Sequence, residues 1–184
     1  MQLYGSYTSP YVRHCRIVLL ETGLPCEFIE SDGKVSAARS PAQKLPFLCH
    51  EDLLLTDSSS IIRYLREQAG QRFFPSVSEY DLFCLANTAV DAAANLFVLE
   101  KDGVTPSQSS YLQRQEQRIQ TCLSTLNRCA FNPGPPYSDF ELRLGCILGW
   151  ARFRGRFDFS QHERLSNCLA DLDQYPHFAA TAPA

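Results

Sequence analysis

Strand-like runs occur only before Pro75, and every apolar pattern after it repeats with a helical period. That change of period confines any sheet to the first segment and predicts an all-helical second one. In the first segment, Gln2–Tyr7 reads as a short strand, closed by Thr8-Ser9-Pro10. A helix follows from Pro10 to about Thr22, with proline at its first position and Gly23 just past its end. Cys26–Glu30 reads as a second strand, and Ser31–Gln43 as a polar crossover with room for one short helix. Pro46–His50 and Leu53–Thr56 are two strands meeting at Glu51-Asp52, a hairpin by spacing. Ser58–Gln68 is a helix with Ile61, Ile62 and Leu65 on one face. The order β-α-β then β-β-α predicts a small mixed sheet.

Residues 73–78, centred on Pro75, form a linker between expected domains at 1–72 and 79–184. Beyond it, Glu79–Lys101 places apolar residues at 82, 86, 89, 93 and 97, and Ser109–Ala130 does so at 112, 119, 123 and 126. Asn132-Pro133-Gly134-Pro135-Pro136 is a loop. Ser138 and Glu141 then fit a capping box, the serine as N-cap and the glutamate at the third helical position. The helix they open is apolar nearly all round, so it is expected to be central and buried. A last helix spans roughly 161–174.

The formal net charge of −3 argues against a nucleic-acid binder that relies on a general basic field. Eight cysteines are scattered with no C-x-x-C pair, and none stands at metal-ligand spacing from the four histidines. Unpaired thiols in a reducing, cytoplasmic protein are expected, with no metal. The chain opens on a strand pattern, with no basic-then-apolar leader and no apolar run of about 18 residues, so no membrane segment is expected.

Three segments of the first part can carry chemistry. Ser9-Pro10-Tyr11-Val12-Arg13 sits where strand meets helix. A hydroxyl there either caps the helix or faces an anion beside the helix's N–H groups and positive dipole end. Lys44-Leu45-Pro46-Phe47-Leu48 brings an X-Pro bond into a strand. A cis bond would turn the Leu45 backbone outward to pair with an extended peptide, whereas a trans bond makes Pro46 a strand-edge residue. Thr56-Asp57-Ser58-Ser59 opens the last helix of this part. Its hydroxyl and N–H groups suit an anion and Asp57 an ammonium, unless both residues only cap the helix.

In this order, Ser9-Pro10, Leu45-Pro46 and Asp57-Ser58 resemble the N-terminal domain of glutathione transferases. That family carries Ser, Cys or Tyr at the first helix, Val-Pro before the third strand and Glu/Gln-Ser before the third helix. Ser138-Asp139-Phe140-Glu141 with Leu-Gly-Cys-Ile-Leu-Gly-Trp resembles the capped core helix of the family's second domain. Tyr175-Pro176-His177-Phe178 is similar to its closing element. The resemblance implies an α+β thioredoxin-like domain followed by an all-α bundle, and a homodimer. It also implies a glutathione transferase that stabilises the glutathione thiolate for attack on a hydrophobic electrophile, in detoxification. Glutathione would be a co-substrate, with no other cofactor. Ser9 would donate to its sulfur, Ser58 would take the γ-glutamyl carboxylate and Asp57 the ammonium. The Leu45 backbone, shaped by Pro46, would pair with the cysteinyl unit, and Lys44 would take the glycyl carboxylate. Tyr7 is the fallback donor to sulfur, its other reading being a strand residue packed in the sheet. Tyr11, Phe83, Asn87 and Phe97 are candidates for the electrophile pocket, with core packing the alternative for both phenylalanines. Arg13 and Arg16 read as structural or dimer-facing, Cys15 as buried and His14 as solvated.

This sequence departs from the family pattern at two site positions. Gln43 stands for the common glycine before the proline segment, which should alter the loop slightly. Asp57 shortens the usual side chain by one methylene. No cysteine occupies position 9, so thiol chemistry on the protein itself is not expected. Two other classes share this fold: a glutathione-dependent reductase or peroxidase, and a non-catalytic protein-binding module.

Overall fold

The computed structural model describes residues 1–183. The chain forms two compact units, one of residues 1–75 with 174–183 and one of residues 76–173. In the first unit β1 (Gln2–Gly5), α1 (Pro10–Thr22), β2 (Glu27–Glu30), α2 (Gly33–Arg39), β3 (Phe47–His50), β4 (Leu53–Leu55) and α3 (Ser58–Gln68) follow one another. The four strands make one sheet in the order β2-β1-β3-β4, with β1 parallel to β2 and antiparallel to β3, and β3 antiparallel to β4. This is a thioredoxin-like domain.

Side-chain alternation along the strands assigns the two faces of the sheet. Leu3 and Leu48, paired across β1 and β3, join Cys15 and Val18 of α1 and Ile61, Ile62 and Leu65 of α3 in one fully buried cluster. Tyr4 and Phe47, the next pair in that register, stack with ring centroids 4.4 Å apart. Arg39 of α2 lies 4.4 Å over the Tyr4 ring and donates to its hydroxyl at 2.6 Å. Helices α1 and α3 therefore cover one face and α2 the other.

Residues 174–183 are tied into this unit by two polar anchors. Buried Arg13 donates to the Phe178 carbonyl at 2.8 Å and to the Thr181 hydroxyl at 3.4 Å, with its guanidinium 3.6 Å over the Phe178 ring. Arg66 pairs with Glu21 at 2.6 Å, and the Tyr175 hydroxyl donates to the other oxygen of the same carboxylate at 2.8 Å. The structural reading of Arg13 thus holds.

In the second unit α4 (Val77–Lys101) leads through a single 3-10 turn at Pro106–Gln108 to α5 (Ser110–Leu126), α6 (Asp139–Arg154) and α7 (Glu163–Asp173). No strand occurs among the described residues of this unit, so the helical second segment is as its period predicted. The capping box forms: the Glu141 N–H donates to Ser138 Oγ at 3.2 Å, and the Ser138 N–H donates to Glu141 Oε2 at 2.8 Å. Asn132 adds two donors to the same carboxylate and pins the preceding loop onto the helix. Every residue of α6 from Asp139 to Ala151 is buried, the fully enclosed Arg143 among them.

The expectation of no membrane segment bears on α4. By length and composition it is apolar enough to cross a membrane, although polar residues such as Asn87, Asp91 and Asn95 interrupt any simple apolar run. A core helix passes the same measure, and Phe83, Ala86, Ala89, Val90 and Ala93 are all buried.

Candidate functional site

Strand register decides which loops meet. Tyr4 faces Phe47, so the end of β1 adjoins the start of β3; Leu48 faces Leu55, so the end of β4 adjoins it as well. The residues just outside those pairs are the Ser6–Ser9 turn, Lys44-Leu45-Pro46 and Thr56-Asp57. All three segments singled out in the sequence therefore lie at one end of the sheet. Helices α1 and α3 both begin there, and neither has an acidic residue in its first turn. Two positive helix ends thus open at the same edge.

Ser9 is the N-cap of α1, and the Val12 N–H donates to its Oγ over a long 3.4 Å. The turn before it is closed by hydroxyls: Ser6 and Thr8 are 3.2 Å apart, and the Ser9 N–H donates to the Ser6 carbonyl. Tyr7 lies in this turn, because β1 ends at Gly5 rather than continuing to residue 7. It is 39% exposed, so the reading of Tyr7 as a strand residue packed in the sheet does not hold. Its ring tilts against Phe28 of β2 at 4.7 Å, under the Arg16 guanidinium at 4.6 Å. Tyr7 therefore leans toward β2, on the opposite flank of β1 from the β3–β4 hairpin. Burial lowers the Arg16 pKa, an effect that the charge of an ionised Tyr7 offsets only in part.

The Leu45–Pro46 bond is cis, as the outward-turned reading required. Gln43 holds a backbone φ of 50°, in the left-handed region where the family's glycine would sit without cost. The glutamine side chain does not prevent that backbone conformation.

Asp57 is the N-cap of α3, its Oδ1 accepting from the Ser59 N–H at 2.8 Å. Its Oδ2 accepts from the Lys44 ammonium at 3.2 Å. Burial pushes the carboxyl pKa up, but the Ser59 N–H and the Lys44 charge together outweigh it and hold the group below its ordinary value. Sequence reading assigned Lys44 and Asp57 to opposite ends of one ligand; here they touch each other. Ser58, buried at the first position of α3, accepts through its carbonyl a long 4.0 Å contact from the Cys15 thiol. Cys15 is fully buried and pins α1 to α3, which matches its expected burial. His14 does not match: it is fully buried rather than solvated.

The remaining candidates lie as follows. Tyr11 is half-buried in the first turn of α1. Phe83 is completely buried, stacked on Tyr80 and 4.9 Å under the Arg143 guanidinium, and so is a packing residue rather than a pocket wall. Phe97 packs edge-on against Trp150, and its ring carries the Lys101 ammonium at 4.4 Å. Asn87 is half-buried on α4, and its side-chain carbonyl oxygen is enclosed with no hydrogen-bond donor. Among the described residues no group of histidine, cysteine, aspartate and glutamate is placed to hold a metal. Burial raises the Cys26 and Cys129 thiols, and pushes Cys168 up to about 12, where it stays protonated.

Comparison with known proteins agrees with this architecture. Residues 3–73 match the family model of the glutathione S-transferase N-terminal domain. The uncharacterized GST-like protein YibF of Escherichia coli K12 is 30% identical over 171 residues, covering 84% of this chain and 83% of that one. Glutathione S-transferase U18 of Arabidopsis thaliana is 25% identical over 168 residues, covering 83% and 74%. Among solved structures, a glutathione transferase family member from Pseudomonas fluorescens Pf-5 with bound S-(propanoic acid)-glutathione superposes with a TM-score of 0.83 at 26% identity, covering 100% of this chain and 99% of that one. A glutathione S-transferase from Methylobacillus flagellatus KT with glutathione bound superposes at 0.85; at 23% identity over 100% and 99% of the two chains, it speaks to the fold. The chain belongs to the glutathione S-transferase family.

Proposed function

We propose that this protein is a glutathione transferase whose first unit holds glutathione and lowers the pKa of its thiol for attack on a hydrophobic electrophile. The observation that carries this reading is the meeting of Ser9, Leu45-Pro46 and Asp57-Ser58 at one sheet end, beside two helix N-termini. Glutathione presents two carboxylates, an ammonium and a thiol, and this edge offers a partner for each. Ser58 takes the γ-glutamyl carboxylate and Asp57 the ammonium. The Leu45 backbone pairs with the cysteinyl unit and Lys44 takes the glycyl carboxylate, while Ser9 faces the sulfur and Tyr11 flanks the electrophile.

Capping and catalysis do not compete at Ser9. A hydroxyl has one hydrogen to donate and two lone pairs. The Val12 N–H uses one lone pair, which leaves the O–H to donate to a thiolate. A free thiol with a pKa near 8.5 is only a few per cent ionised at neutral pH. Lowering it by about two units needs roughly 2.7 kcal/mol of preference for the charged form. A hydrogen bond to a charged group contributes about 1.5–3 kcal/mol, and the start of a helix about 0.3–2. The two together suffice without deprotonating the serine. Tyr7 is the weaker candidate because its ring is held toward β2.

Calorimetry tests the binding step. Glutathione binds, and Ser58→Ala weakens it by at least about 1 kcal/mol, the scale of one charge-assisted hydrogen bond. No heat at millimolar glutathione overturns the enzyme reading in favour of a protein-binding module. A homodimer in the cytoplasm completes the proposal; light scattering at the monomer mass of 20.8 kDa counts against it.

A further inference from the structure

We propose that Lys44 is an internal stand-in for the ligand's ammonium, which makes the site select peptides carrying both an α-ammonium and a distal carboxylate. This rests on the glutathione reading above. Lys44 precedes β3 and Asp57 follows β4, and the antiparallel pairing of Leu48 with Leu55 brings them to the open end of the hairpin. There the ammonium of Lys44 lies 3.2 Å from Asp57 Oδ2, while Oδ1 is committed to the Ser59 N–H. The oxygen offered to an incoming ammonium already has one.

Two positive charges on a single carboxylate oxygen disfavour each other. A ligand ammonium arriving at Asp57 therefore displaces Lys44. The lysine stem is long and flexible, and its compact charge then seeks another anion. Glutathione delivers that anion itself in its glycyl carboxylate. A ligand whose glycyl end is neutral displaces Lys44 equally but gives it nothing to pair with. One residue thereby links recognition of the two ends of the tripeptide. A lysine that served only as a glycyl-carboxylate donor would have no effect on ligands lacking that carboxylate.

The discriminating probe is the glycyl ethyl ester of glutathione, which keeps the ammonium, the thiol and the γ-glutamyl carboxylate. Titration calorimetry of glutathione and of the ester is run on the parent and on Lys44→Met, which keeps the stem and removes the charge. Both side chains of the pair are about half exposed, so the competition is that of a surface ion pair, about two- to fivefold in affinity. The ester is expected to bind Lys44→Met about two- to fivefold more tightly than it binds the parent, and the preference for glutathione over the ester shrinks. An ester affinity that is unchanged or weaker in Lys44→Met overturns the stand-in role while leaving glutathione binding intact. Failure of the parent to bind glutathione at millimolar concentration overturns the glutathione reading itself, and this inference with it.

Discussion

Gly5 controls how closely α1 approaches β1, and adding a single methyl there should be felt at once. An ideal Cβ at Gly5 would lie 2.6 Å from both methyls of Val12 and 3.2 Å from its Cβ. Favourable carbon contacts lie near 3.5–4.0 Å, so about 1 Å must be found. Val12 is fully buried, and a valine in a helix holds one χ1 rotamer. The first turn of α1 must therefore move outward. Overpacking of this kind costs about 1–3 kcal/mol. Replacing glycine by alanine returns about 0.4–1 kcal/mol through the unfolded chain. Gly5→Ala should thus lose on the order of 1–2 kcal/mol, or roughly 2–8 °C in Tm for a chain of this size. Urea unfolding of Gly5→Ala, Val12→Ala and the double variant reads the effect directly. Removing the Val12 methyls restores the space, so the double variant should fall short of the summed single losses by at least about 1 kcal/mol. An unchanged midpoint for Gly5→Ala, or strict additivity in the double variant, refutes the packing argument.

Two further outcomes follow from ion pairs in the first unit. Asp57 has a folded pKa below its unfolded value near 3.9, so its contribution to stability is present above that value and is lost as pH falls through the folded one. Acid unfolding of Asp57→Asn should lack this component; identical acid limbs for variant and parent contradict the assignment. The Arg66–Glu21 pair is nearly enclosed, with side chains 9% and 13% exposed. Arg66→Met leaves the Glu21 carboxylate with the Tyr175 hydroxyl but no counter-charge and should cost up to about 3–5 kcal/mol, whereas Arg66→Met/Glu21→Leu should cost clearly less. Equal losses in urea unfolding would show that the charge is not stranded.

Local punctuation made some elements legible in the sequence. Pro10 and Gly23 bracket α1, and Asp57-Ser58 opens α3, because proline, left-handed glycine and short polar caps act through their own backbone. Ser138 and Glu141 announced α6 for the same reason. Tyr7 was drawn into β1 because tyrosine favours strands and the visible stop lay at Thr8-Ser9-Pro10. The strand ends earlier, where the Gly5 carbonyl accepts from the Ser31 N–H and the hydroxyls of Ser6 and Thr8 close a turn. His14 was expected to be solvated, yet Val12, Arg13, His14 and Cys15 are all buried. The partners that enclose Arg13 come from Phe178 and Thr181, so no window of neighbouring residues could show them. At the site, residue types and order were readable, but the Lys44–Asp57 contact was not. It depends on hairpin register bringing two loops together, and each residue alone looked committed to a different end of the ligand.

The central claim concerns the bound thiol, and its titration tests that claim most directly. Thiolate absorbance is followed against pH with glutathione saturating the parent, Ser9→Ala and Tyr7→Phe. The parent should titrate about two units below the free thiol, whose pKa is near 8.5. Ser9→Ala should raise that midpoint by roughly one to two units with nearly unchanged glutathione affinity, while Tyr7→Phe should titrate with the parent. A parent midpoint at the free-thiol value contradicts thiolate stabilisation, and a shift in Tyr7→Phe alone contradicts the assignment of Ser9.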